Sequence, residues 1–295
     1  MIGISTGTKY VKNTATENHA SIQFYVREKG LPKNRKVKPL PRFVYGRFKN
    51  GKVDRKVKFT TDVIGVGRVR MVCGAGSPIS SSIGLTRRDG TMTFVFKNKA
   101  RSDSHYYVLS CAHVIGNMDG QTELPVIIET ECSPGITPFA AILFSPVPHR
   151  RIEYDIAIAQ INSACLPLPD LKIAGTNGNL RSFMPKDQII PSLPVSCVLP
   201  VSNAESGVVG SHGGWIKIEY GKGTYYEVEN AWMVKVDGRV RDGDSGGLIY
   251  DGKAAVGIVF AASKSGRGWA WFHPLIDAFE YVRQNVSMDL KCFSS

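Results

Sequence analysis

Arg241-Asp242-Gly243-Asp244-Ser245-Gly246-Gly247 sets a serine among acidic residues and glycines, and the strand-like Leu248-Ile249-Tyr250 follows directly. Glycine accepts the backbone conformations of a tight turn and lets a ligand approach closely. Such a turn can aim two amide N–H groups at one point beside a serine oxygen, where they stabilise developing negative charge. Alone, a run rich in Gly and Asp is equally the composition of a surface loop. Its meaning depends on partners elsewhere in the chain.

Two partners lie upstream. Leu109-Ser110-Cys111-Ala112-His113-Val114 ends a strand-like run that begins at Tyr106. Tyr154-Asp155-Ile156-Ala157-Ile158-Ala159 places an acid at the head of an alternating apolar segment. Singly, the histidine reads as a hydrogen-bonded core residue and the aspartate as a turn or cap. In order they are His113, Asp155 and Ser245, with gaps of 42 and 90 residues. A serine hydroxyl is a weak nucleophile at neutral pH and needs a base within hydrogen-bond reach. The base in turn needs a group to orient it. The gaps suit two sequential β-barrels.

These blocks resemble the chymotrypsin-like (trypsin-fold) serine peptidases. Ser-Cys-Ala-His113 stands where that family has Thr-Ala-Ala-His. Tyr-Asp155-Ile-Ala resembles its Asp-Ile-Ala-Leu block, and Gly-Asp-Ser245-Gly-Gly matches its nucleophile block. The similarity spans roughly residues 66–290. The N-terminal part and the unpaired cysteines look more like the intracellular, bacterial-type branch, including relatives of the plant narrow-leaf proteases. The resemblance implies a mainly β fold with two antiparallel β-barrels of chymotrypsin type. The peptidase domain would cover 66–295, with barrels at about 66–165 and 180–272 and a C-terminal helix at about 274–287. It implies His113 as general base, Asp155 as its orienting acid and Ser245 as nucleophile. The N–H groups of Gly243 and Ser245 would form the oxyanion hole. The expected activity is serine endopeptidase, a hydrolase attacking protein or peptide substrates through an acyl-enzyme. No cofactor and no metal is expected.

The pattern departs from the family in three places. Val114 and Arg241 stand where vertebrate trypsins carry disulfide cysteines. The six cysteines (Cys73, Cys111, Cys132, Cys165, Cys197 and Cys292) show no Cys-x-x-Cys spacing, so a zinc or redox motif is not expected. Their even number admits disulfides. However, Met1-Ile2-Gly3-Ile4-Ser5 leads straight into polar residues without a secretory pattern, so thiols and a cytoplasmic location are expected. Second, no Arg-Ile-Val-Gly-Gly activation site precedes the barrels. Asp244 therefore needs another partner, because an unpaired buried carboxylate is costly. Arg239, Arg241 and lysine side chains are candidates. The enzyme is then either constitutively folded or switched by its N-terminal segment. Third, Arg239 lies six residues before Ser245, where trypsin-type enzymes have Asp. Cleavage after Lys or Arg should be disfavoured by like charge. Arg239 either favours an acidic P1 residue or points to solvent. Val259, Phe260 and Ala261 are expected on the opposite pocket wall, and edges of the strand Gly257–Ser263 are expected to pair with an extended peptide.

Residues 1–60 hold 15 Lys/Arg and 3 Asp/Glu, an excess equal to the +12 of the whole chain. A small basic α+β appendage over 1–65 is expected, with a strand at Ile22–Val26. The bland reading is a solvated basic face; the functional readings are an acidic protein partner or nucleic acid bound through phosphates. No apolar run reaches membrane-spanning length, and no membrane partner is expected. Two rival functions follow: a catalytically silent pseudoprotease that binds peptides, and a nucleic-acid-associated protease localised by its basic segment. His19, His105, His149, His212 and His273 have no metal-binding spacing, and the four tryptophans read as core or pocket wall. Cys111 reads as a buried strand cysteine rather than a nucleophile.

Overall fold

The computed structural model describes residues 3–11, 14–26, 40–50, 52–65, 69–71, 78–83, 86–98, 106–116, 125–127, 139–144, 151–161, 180, 182–199, 201–219, 225–252, 254–265, 268–286 and 290–292. In chain order the strands begin with β1 (Gly3–Val11), β2 (Thr14–Val26), β3 (Phe43–Arg47), β4 (Val53–Gly65), β5 (Val69–Met71), β6 (Pro78–Ile83) and β7 (Thr86–Thr91). Next come β8 (Phe94–Asn98), β9 (Tyr106–Ser110), the short helix α1 (Ala112–Ile115), β10 (Pro125–Ile127), β11 (Phe139–Phe144), β12 (Arg151–Ile152) and β13 (Ala157–Ile161). The rest are β14 (Ser182–Phe183), β15 (Pro194–Leu199), β16 (Ala204–Glu219), β17 (Tyr225–Val236), β18 (Leu248–Asp251), β19 (Ala254–Ser263), β20 (Trp269–Pro274), helix α2 (Leu275–Val286) and β21 (Leu290–Cys292). The protein is mainly β, with one long helix near its C-terminus. No helix among the described residues is long and apolar enough to cross a membrane.

Six strands close on themselves. β17, β20, β19, β18, β15 and β16 pair in that order, and β16 pairs back to β17. Every pairing in the ring is antiparallel. Closure removes the unpaired edges that an open sheet must protect. Alternation in β16 carries the pattern: Ile216 and Ile218 are buried and Lys217 is exposed, as a half-buried strand requires. β19 is different, with nearly every residue buried, and α2 packs against it. The second sheet runs β10–β11–β13–β9–β8–β21, an open path among the described residues.

Helix α2 starts at Leu275, and Pro274 ends β20 immediately before it, so proline's missing N–H costs the helix nothing. Its buried line is Leu275, Ala278 and Val282. Phe279 is half-buried on its flank against Phe183, with ring centroids 4.9 Å apart.

The N-terminal residues differ from the expected α+β appendage. The described part of 1–65 contains strands and no helix. β1 adds antiparallel to β16, β2 to β1, β4 to β2 in parallel, and β3 to β4. Two features tie this layer to the ring. Backbone pairing continues the β16 edge, and Tyr25 is buried edge-on against Trp271 at 5.8 Å. The Tyr25 hydroxyl also bonds Ser5 Oγ at 2.6 Å and Ser211 Oγ at 2.7 Å, so these buried hydroxyls satisfy one another.

Candidate active site

The two sheets meet at three loops. His113 sits in α1 directly after β9, Asp155 lies between β12 and β13, and Ser245 occupies the turn before β18. All three are buried. His113 Nδ1 is 2.6 Å from Asp155 Oδ2, and His113 Nε2 is 2.9 Å from Ser245 Oγ. The backbone N–H of His113 donates to Asp155 Oδ1 at 3.1 Å, so the aspartate grips the histidine at two points. Burial alone would raise the Asp155 carboxyl, but the attraction of His113 and its hydrogen bonds outweigh it. The net shift is below the ordinary carboxylate value. Asp155 is therefore a charged acceptor at neutral pH, and His113 Nδ1 must carry the proton. That leaves Nε2 as the lone-pair nitrogen facing Ser245.

The serine turn is pinned from two sides, by the segment joining β7 to β8 and by β19. Thr91 N–H donates to Ser245 O at 2.9 Å, and Thr93 Oγ1 donates to Gly246 O at 2.8 Å. Gly246 N–H donates to Val259 O at 2.7 Å, and Val259 N–H to Gly247 O at 2.8 Å. Gly246 has φ +87° and no room for a side chain: a Cβ would lie 2.3 Å from Thr91 O. Gly243 has φ +116°, a conformation costly for any residue with a Cβ. Among the described residues, neither the Gly243 nor the Ser245 N–H donates to a protein acceptor.

Asp244 finds its partners in the backbone. Its Oδ1 accepts from Val201 N–H at 3.1 Å and Ser202 N–H at 3.2 Å, and Oδ2 accepts from Arg241 N–H at 2.9 Å. The expected cation does not appear: no Arg or Lys side chain among the described residues pairs with it, and Arg239 and Arg241 are both exposed. Three amide donors satisfy the carboxylate without a second buried charge.

The expected pocket residues separate. Arg239 points to solvent, whereas Val259, Phe260 and Ala261 are buried in β19. Phe260 O lies 3.3 Å from Ser245 Oγ, and Val259 O accepts from Cys111 Sγ at 3.3 Å. The strand expected to offer edges over 257–263 is paired on both sides for most of its length. β18 and β20 flank it, and β5 runs antiparallel along its far end with Met71, Arg70 and Val69 opposite Ala261, Ala262 and Ser263. Cys111 and Cys197 are thiols, and burial followed by the nearby Asp237 and Asp244 pushes Cys197 up to about 12. The other cysteines' side chains lie outside the described residues. Cys111, His113 and Asp155 place possible metal-ligand atoms within 4.8 Å of one another. His113 and Asp155 are hydrogen-bonded to each other there, and Cys111 Sγ donates to Val259 O.

His273, dismissed on spacing, belongs to the site. The Asp155 N–H donates to His273 Nε2 at 3.0 Å, so Nδ1 carries the proton and donates to Asn230 O at 3.3 Å. Asn230 turns its carbonyl there with φ +47°, a conformation asparagine tolerates. The ring is fully buried and stacks on Phe260 at 4.1 Å. Burial drives its pKa down to about 4 against the opposing pull of Asp155 and Asn230. The sequence signal was a lone polar residue ending the apolar run Trp269-Ala270-Trp271-Phe272.

No family model and no curated protein matches the sequence. Among solved structures the chain is similar to Thermobifida fusca protease A, with 18% identity and a TM-score of 0.48 over 75% of this chain and 98% of that one. It is similar to Nocardiopsis protease, with 13% identity and a TM-score of 0.48 over 75% and 98%. It is also similar to a glutamic-acid-specific serine protease that uses a histidine triad in substrate binding, with 17% identity and a TM-score of 0.47 over 72% and 97%.

Proposed function

We propose that the chain is a serine endopeptidase of chymotrypsin-like architecture that hydrolyses protein or peptide substrates. The observation that carries this reading is the unbroken hydrogen-bonded series Asp155–His113–Ser245 beside a turn with two unspent amide donors. Ser245 Oγ attacks the scissile carbonyl as His113 Nε2 takes its proton, and Asp155 stabilises the imidazolium. The tetrahedral oxyanion is held by Gly243 and Ser245 N–H. His113 then protonates the leaving amine, and water repeats the sequence on the acyl-enzyme. In this reading the six-stranded ring is the second barrel, the open sheet belongs to the first, and 66–295 carries the chemistry. A cytoplasmic location fits the thiols of Cys111 and Cys197.

The acyl-accepting side of the site has a condition attached. β19 beyond Phe260 leads away from the nucleophile, and a substrate strand added there must displace β5. The machinery is assembled while the peptide-binding edge is covered by the chain's own segment. Acidic P1 preference has no support from Arg239, which faces solvent.

The direct test is labelling of the full chain by a fluorophosphonate probe, with Ser245→Ala as control. Labelling of wild type that vanishes in the variant supports the enzyme. A folded wild type that is not labelled means a silent peptide-binding module. In turnover, Ser245→Ala should lower kcat by about 10⁶-fold.

A further inference from the structure

β3 and β4 form a ribbon at the end of the strand path, β3 pairing only with β4 among the described residues. Seven Lys/Arg lie between Arg42 and Lys58 against one acid, Asp54. Asp54 is committed to the ribbon itself, its Oδ1 accepting the Lys56 N–H at 2.9 Å. Four aromatic side chains stand in solvent among these cations: Phe43 at 39%, Tyr45 at 43%, Phe48 at 54% and Phe59 at 46% exposure. Exposed rings gathered in one place mark a binding surface rather than a stability device.

The register sorts them. Phe43 pairs with Thr60 and Tyr45 with Lys58, so both rings and the lysine share a face, and Lys58 Nζ lies 3.7 Å from the Phe43 centroid. Phe59 pairs with Val44 on the opposite face. Phe43 and Tyr45 are two residues apart, about 6.8 Å along the strand, close to two stacking steps of about 3.4 Å in a nucleic-acid strand.

We propose that this ribbon binds single-stranded nucleic acid, its cations meeting phosphates and its exposed rings stacking on bases. Positive charge interleaved with aromatics at the same height is what a stacking platform requires. A membrane anchor needs apolar residues at the tip with cations behind them. Here the tip closed by the Phe48 N–H to Lys52 O bond carries one ring, Phe48, among Lys49, Asn50 and Lys52, so cations would enter the lipid with it. The proposal is independent of the peptidase reading, since none of these residues lies in the active site.

The test is fluorescence anisotropy of labelled dT20 and rU20 with the full chain carrying Ser245→Ala. The expected result is binding whose log affinity falls linearly with log salt. Tyr45→Ala and Phe48→Ala should each weaken it roughly five-fold or more with the salt slope unchanged. Lys56→Gln with Lys58→Gln should make the slope shallower by about 0.7 for each phosphate no longer neutralised. The two oligonucleotides show whether DNA or RNA is preferred. Absence of binding at low salt overturns the proposal. So does binding indifferent to the aromatic substitutions, which would be charge alone, or equal competition by poly-glutamate. Co-sedimentation with phosphatidylserine-containing vesicles that Tyr45→Ala abolishes, without oligonucleotide binding, would assign the ribbon to a lipid surface instead. Each variant should keep the circular-dichroism spectrum and melting temperature of the parent chain, which shows that it folds.

Discussion

Ser245 Oγ has one proton and two acceptors in reach, His113 Nε2 at 2.9 Å and Phe260 O at 3.3 Å. In the proposed peptidase reading only the bond to His113 leads to chemistry, so the orientation of His113 matters most, and Asp155 holds that residue at two points. Asp155→Asn should lower kcat by about 10⁴-fold while leaving the fold intact, because the amide admits the wrong imidazole tautomer. His273 acts one step further back, as a positioning residue through the Asp155 N–H. His273→Phe leaves that N–H without an acceptor and should lower kcat by about 10–100-fold with KM nearly unchanged. His273→Gln, which can supply an oxygen acceptor, should recover part of the loss. His273 also makes a pH prediction. Its folded pKa of about 4 lies below the unfolded value of 6.5, so the unfolded chain binds the extra proton between them. The stability it contributes is complete above pH 6.5 and is lost as pH falls toward 4, by about 3 kcal/mol in all. Melting curves across that window should slope for wild type and flatten for His273→Gln. His113, Asp155 and Ser245, which the fold brings together, were readable from sequence as candidates, because each sits in a local block with its own composition. His273 was not, because its partner is a backbone amide 118 positions away.

Short elements decide how the site is held and what reaches it. The Ser245 turn needs Gly246 for both φ and space, so Gly246→Ala should destabilise the protein by more than about 2 kcal/mol in chemical denaturation. β5 was invisible to periodicity, being three residues of mixed character, Val69, Arg70 and Met71. Its placement along β19 comes from register alone. Arg70→Pro removes a backbone N–H from the middle of β5, which is bridged there to Ala262 of β19 and to Glu219 of β16. Fluorophosphonate labelling, which needs only the triad, should stay at the wild-type rate. Hydrolysis of an extended peptide should rise through a lower KM. Equal peptide kinetics in the two proteins would show that β5 is no obstacle. The segments of helix α2 and strand β16 carry repeats near 3.6 and 2 long enough to stand out from loops: Leu275, Phe279 and Val282 recur at four and three residues, and Trp215 to Tyr220 alternate.

At the scale of the whole molecule, the N-terminal strands and the ring are paired into one hydrogen-bonded sheet. Their junction buries Tyr25 against Trp271 and shares its hydroxyl between Ser5 and Ser211. Tyr25→Phe should therefore lower the melting temperature of the entire chain in a single transition, whereas a loosely attached appendage would melt apart. Asp244 carries a second prediction at this scale. Held by three backbone amides, it needs no newly cut N-terminus, so the chain should label with fluorophosphonate while intact mass shows it uncleaved. The sequence by itself determined the mainly β class, the C-terminal helix and the three candidate residues His113, Asp155 and Ser245 that the fold brings into hydrogen-bond contact, because periodicity and block composition are local properties. Tertiary structure alone decided what surrounds them: the amides that replace a cation at Asp244, the histidine behind Asp155, the solvent-facing Arg239, and the strand that covers β19. Each of these depends on backbone groups meeting across long chain separations, and every residue other than proline carries the same backbone N–H and C=O whatever its side chain.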